Sequence, residues 1–129
     1  MNTKFLLAVS AVVMGVFGAA GLFVPDELLR MAGHPADALL TVGLQLLAAL
    51  YFAFAFTNWT ARGSLIGGIY NRPLALGNLT HFLIGSLTLM KAAVSGNAVL
   101  IVLAIIYGVF ALAFGAIFFR SPVTTEVRT

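Results

Sequence analysis

An all-α integral membrane protein, built as a four-helix bundle with both termini on the cytoplasmic side, is the fold class this sequence predicts. Three observations carry the prediction. Of the 129 residues, 61% are hydrophobic and 9% are charged, against about a half and about a quarter in an ordinary soluble domain. Mean hydropathy is +1.07, so the polar side chains are too few to cover a folded surface in water. The apolar residues also gather into four runs, each close to the roughly 20 residues with which a helix crosses a hydrocarbon core of about 30 Å. The sequence lacks the period-2 alternation of an outer-membrane barrel, and a stretch such as VLIVLAIIYGVFALAFGAIFF (99–119) suits a helix that satisfies its own backbone groups. The length fits one transmembrane domain over 1–129.

The first run, 5–24, stops at Pro25 and Asp26, and the DELLRMA that follows fits a short interfacial helix with Leu28, Leu29 and Met31 toward lipid. GHPAD (33–37) opens the second run, 38–57. NRP (71–73) opens the third, 74–90, which is the shortest, and SGN (95–97) opens the fourth, 99–119. Proline in a first turn and Asp or Asn as the cap are ordinary helix starts. Lys4, Arg62, Arg72, Arg120 and Arg128 fall on one side of these spans and only Arg30 and Lys91 on the other, which places the termini and the middle loop in the cytoplasm of a bacterial inner membrane. Trp59 and Tyr70 suit an interfacial aromatic belt.

Several function classes are excluded or disfavoured. The chain has no cysteine, which removes disulfides, thiolate metal sites and cysteine nucleophiles. A net charge of +3 does not point to nucleic acid, because the basic residues stand singly at the ends of apolar runs and read as topology signals. No glycine-rich phosphate loop and no metal-ligand spacing occurs. No Asp or Glu lies within a span, so proton-coupled export lacks its carboxylate, and serine hydrolysis lacks a base and acid on a shared face. The residues point away from an enzyme and require neither cofactor nor metal. Asn58-Trp59-Thr60 and Asn78-Leu79-Thr80 match the glycosylation pattern, but one falls on the cytoplasmic side and the other inside the membrane.

Helices in lipid associate through close backbone approach and interhelical hydrogen bonds. Small residues therefore mark the expected contact faces: Ala11, Gly15, Gly18 and Gly21 or Ala19 in the first span, Ala48, Ala49 and Ala53 in the second, Gly77 and Gly85 in the third, and Ala104, Gly108, Ala111 and Gly115 in the fourth. They predict a left-handed bundle in which one stripe is available for a homo-oligomer contact.

The third span carries GNLTHFLIGSLT (77–88), with Asn78 and His81 on one helical face that continues through Gly85 and Thr88. Of Asp, Glu, Lys, Arg and His, only His81 lies in the interior of a span, and such residues are functional candidates by default. Gln45, His81 and Tyr107 fall at similar depth, roughly 10 to 14 Å from the outer boundary at 1.5 Å per residue. Thr41 sits one turn above Gln45, and Asn78 one turn below His81. These five residues form the candidate ligand-binding layer. They either fix helix register by hydrogen bonds of about 0.6 to 2 kcal/mol each or line a small cavity for a quinone head group or a lipid. A haem held between two histidines is disfavoured, because His34 lies in the outer loop and leaves His81 without an intramembrane partner in one chain. Arg62 and Arg72 are the candidate contacts to anionic lipid head groups.

FVPDELLRMAG (23–33) at the end of the first helix and NRPLALGNLTHFLIG (71–85) at the start of the third resemble small bacterial four-helix membrane proteins of the DoxX-like kind. The resemblance implies the four-helix membrane fold, and for some members an association with quinone-linked oxidation of sulfur compounds. It carries over no catalytic residue. Three functional readings follow: a non-catalytic protein acting by self-association or as an accessory part of a larger membrane complex, a quinone- or lipid-binding subunit using the polar layer, and a small oligomeric channel or transporter.

Overall fold

The computed structural model describes residues 3–35, 37–63 and 72–120, with residue 120 described by its backbone alone. Tyr70, Asn71 and Arg128, which entered the belt, the third helix start and the charge count, lie outside the described residues. All regular structure among the described residues is helical: α1 (Thr3–Phe23), α2 (Pro25–Met31), α3 (Ala38–Ala61), α4 (Arg72–Ala93) and α5 (Ala98–Arg120). Four of them, α1, α3, α4 and α5, are long and apolar enough to cross a membrane. The short α2 occupies the stretch expected to form an interfacial helix.

The helix ends follow local chemistry. Pro25 starts α2, whose first turn carries Asp26 and Glu27 and whose last turn carries Arg30, matching the helix dipole at both ends. The helix closes where Gly33 takes φ +80°. The Gly33 and His34 amides donate to the Arg30 and Leu29 carbonyls, the paired bonds of a Schellman stop. Asp37 caps α3 by accepting from the Leu39 and Leu40 amides at 2.9 and 3.2 Å. Gly96, at φ +79°, ends the turn after α4, and the Asn97 side chain caps α5 by accepting from the Val99 amide at 2.9 Å. The third span is longer than its apolar run: α4 has 22 residues, because Arg72 and Pro73 fill its first turn and Lys91 its last. Likewise α3 runs on through Asn58, Trp59 and Thr60 to Ala61.

The helices fall into two compact units, one made by α1, α2 and α3 and the other by α4 and α5. In the first, α1 packs on α3, with α2 touching both. Two glycines set the closeness of that contact. A Cβ on Gly18 would lie 2.9 Å from the Phe52 amide nitrogen and 3.0 Å from the Ala48 carbonyl oxygen, and one on Gly21 would lie 2.7 Å from the Ala48 Cβ. Backbone meets backbone there, which is how packing replaces hydrophobic drive between helices in lipid. The face of α3 turned inward holds Ala48, Ala55 and Asn58, while Ala49 and Ala53 are exposed. In the second unit α4 buries Ala75, Asn78, Phe82 and Ser86 against an α5 face containing Ala104, Tyr107, Phe110, Ala111, Phe114 and Ile117.

Candidate functional site

The α4–α5 unit contains three of the five candidate layer residues. His81 and Tyr107 are in ring contact, with centroids 5.7 Å apart and planes tilted by 46°. Both also meet Phe82, which lies edge-on to His81 at 5.2 Å and edge-on to Tyr107 at 5.2 Å. Phe82 stacks in turn with Phe110 at 4.7 Å and Phe114 at 5.8 Å, so an aromatic cluster fills the middle of the unit. Edge-to-face and offset contacts of this kind add about 0.5–1.5 kcal/mol per pair beyond burial.

That cluster decides where the polar residues go. The buried line of α4 runs through Ala75, Asn78, Phe82 and Ser86, one position away from the Asn78, His81, Gly85 and Thr88 line expected from the sequence. Phe82, with the larger apolar surface, takes the centre, and His81 is half-buried at its edge with Nε2 enclosed. Thr88 is exposed, and its hydroxyl donates to the Ile84 carbonyl of its own helix at 2.9 Å. Asn78 is fully buried and donates from Nδ2 to the Leu74 carbonyl at 3.0 Å. Gly85 makes room for the tyrosine: a Cβ there would lie 2.6 Å from both Cδ1 and Cε1 of Tyr107. One turn on, Ser86 donates to the Ala104 carbonyl across the helix pair at 3.3 Å.

Gln45 and Thr41 belong to the other unit, on α3. Gln45 is half-buried. The Thr41 hydroxyl donates to Asp26 Oδ1 at 2.9 Å, tying the start of α3 to α2. The candidate lipid contacts both stack on aromatic rings: the Arg62 guanidinium lies 3.7 Å from the Trp59 ring centroid and that of Arg72 5.4 Å from Phe118. Arg62 Nη1 also donates to the Trp59 carbonyl.

The most completely buried polar contact is one that sequence reasoning missed. Asn58 and Ser10 are both 0% exposed. Asn58 Nδ2 donates to Ser10 Oγ at 3.0 Å, and Ser10 Oγ donates to the Leu7 carbonyl at 3.0 Å, while the same amide approaches Met14 Sδ at 3.9 Å. The signal was present in the spacing: Asn58 is three residues beyond Ala55 and ten beyond Ala48, on one helical face. Reading Asn58 as part of a glycosylation pattern concealed it.

Compared with protein-family models, curated proteins and solved structures, the chain matches none of them.

Gly85→Ala is expected to destabilise the α4–α5 pair by about 1–3 kcal/mol, the usual cost of forcing extra volume into a packed core. In a Tyr107→Leu background the same substitution should cost little, because the obstructing ring is gone. Reversible unfolding in bicelles measures both, and an equal cost in the two backgrounds contradicts the cradle.

Proposed function

We propose that this chain is a non-catalytic, multi-pass component of a bacterial inner membrane that acts by association, with copies of itself or as an accessory part of a larger membrane complex. The observation that carries the reading lies on α3. Besides the Ala48, Ala55 and Asn58 face turned to α1, the helix has a second small-residue face on its opposite side, made by Ala49, Ala53, Thr57 and Thr60, all exposed. The hydroxyls of Thr57 and Thr60 donate to carbonyls of their own helix, Ala53 at 2.8 Å and Phe56 at 2.9 Å, so the face is smooth and its polar atoms are already bonded. Acyl chains pack on Leu or Phe as well as on Ala, whereas a neighbouring helix gains from small residues because its backbone can come close. Small and buried polar residues in both units support a left-handed bundle of the four spans. The excess of basic residues at the termini and middle loop supports cytoplasmic ends.

A second reading, a quinone- or lipid-head-group-binding subunit, is supported by the His81–Tyr107 contact, since an imidazole and a phenol at membrane depth are a fitting pair for a carbonyl or hydroxyl ligand.

Sedimentation in detergent should find the wild-type chain associated, and Ala49→Leu with Ala53→Leu should weaken association by about tenfold or more while thermal unfolding is retained. A chain that is monomeric at every detergent ratio, with no partner crosslinked in native membranes, contradicts the proposal. Mass spectrometry of the same sample serves the second reading: a small molecule retained by wild type and lost in His81→Ala supports it, and a sample that retains none contradicts it. The absence of native cysteine allows a direct test of orientation. Ser95→Cys is expected to react with an impermeant maleimide in intact cells, and Gly63→Cys only after permeabilisation; the opposite pattern contradicts cytoplasmic termini.

A further inference from the structure

A groove of about 180 Å³ runs along the α1–α3 pair, with an almost wholly apolar lining. Its floor is made of small residues, Ala11, Gly15 and Ala55, and its rim of large exposed ones, Val12, Phe56 and Trp59. Gly15 differs from the other contact-face glycines. A Cβ there would lie 3.7 Å from the Ala55 Cβ, an ordinary contact, so helix packing does not require glycine at this position. What the missing side chain does is deepen the groove.

The groove points to a charged end. From Phe52, which also lines it, to Arg62 is about 15 Å along α3 at 1.5 Å per residue. At that end Arg62 lies over the Trp59 ring, and Lys4, near the start of α1, is exposed. All the acidic residues of this unit, Asp26, Glu27 and Asp37, lie at its other end. The lining, from Ala, Gly, Val, Phe and Trp, offers almost no polar surface to a peptide or sugar. These features fit an apolar chain whose head is anionic.

We infer that the groove holds an acyl chain of an anionic phospholipid, with its phosphate met by Arg62 at the Trp59 rim. A guanidinium suits this task because its planar donors match phosphate oxygens while its face stays on the indole. The inference goes beyond the association reading and rests only on α1 and α3 crossing a membrane.

Native mass spectrometry of the full chain, with phosphatidylglycerol or phosphatidylcholine of identical acyl chains added to the micelles, tests it. Phosphatidylglycerol should be retained in preference, and Arg62→Gln should weaken its retention by about fivefold, the effect of about one basic contact at a membrane surface. Gly15→Leu from the floor and Val12→Phe from the rim should each lower retention by a similar factor or more. Thermal unfolding identifies any variant that has lost its fold, and the remaining one then decides. Equal retention of the two lipids overturns the inference. So does a loss with Arg62→Gln but with neither filling variant, which would put the lipid on the surface outside the groove. A change of oligomeric state in the filling variants with lipid retention intact also overturns it, because a second copy would then occupy the groove.

Discussion

Helices in hydrocarbon gain nothing by hiding apolar side chains from one another, since lipid tails are equally apolar, and every contact between helices must be made by close packing or by hydrogen bonds. In the α1–α3 pair both are concentrated on a single seam. Gly18 and Gly21 bring the backbones together, and further along the same pair Asn58 reaches across to Ser10. An asparagine and a serine with no exposed surface would each carry a desolvation cost in the hydrocarbon if left unbonded. Bonded to each other they oppose any slip of one helix along the other, because a shift of one residue would separate them.

The α4–α5 pair solves the same problem with different residues. Phe82 and its aromatic neighbours supply dispersion contacts, Gly85 admits the Tyr107 ring, and Ser86 supplies the bond across the pair to the Ala104 carbonyl. Of its buried polar groups, Asn78 donates to the Leu74 carbonyl of its own helix and Ser86 donates to the Ala104 carbonyl across the pair. His81 lies at the edge of the aromatic cluster, half-buried, with Nε2 enclosed.

Much of this was legible in the sequence. Four apolar runs gave four long helices, and the caps at Asp37 and Asn97 and the start at Pro25 lie where residue type alone placed them. The length of α4 was less legible, because hydropathy sees the apolar run and not the Arg72, Pro73 and Lys91 turns that extend the helix at its polar ends. Faces were harder still. A run that is apolar on all sides has no amphipathic stripe to show which side is buried, so Ala49 and Ala53 were read with Ala48 as a contact face although Ala55 and Asn58 take that place. The position of His81 was blurred for the same reason: Asn78 and His81 share a face by spacing, but the volume of Phe82 rotates the centre of burial past the histidine.

The small residues of α3 serve two sides. One side, with Ala48 and Ala55, is spent on α1, and the other, with Ala49 and Ala53, is exposed and is the face proposed for association. Both depend on the seam that fixes how α3 is turned. A double-mutant cycle between Ser10→Ala and Asn58→Leu, followed by reversible unfolding in bicelles, tests that seam most directly. The account predicts a coupling of about 0.6–2 kcal/mol, the range found for hydrogen bonds between membrane helices. Strictly additive costs, with no coupling between the two positions, would contradict it.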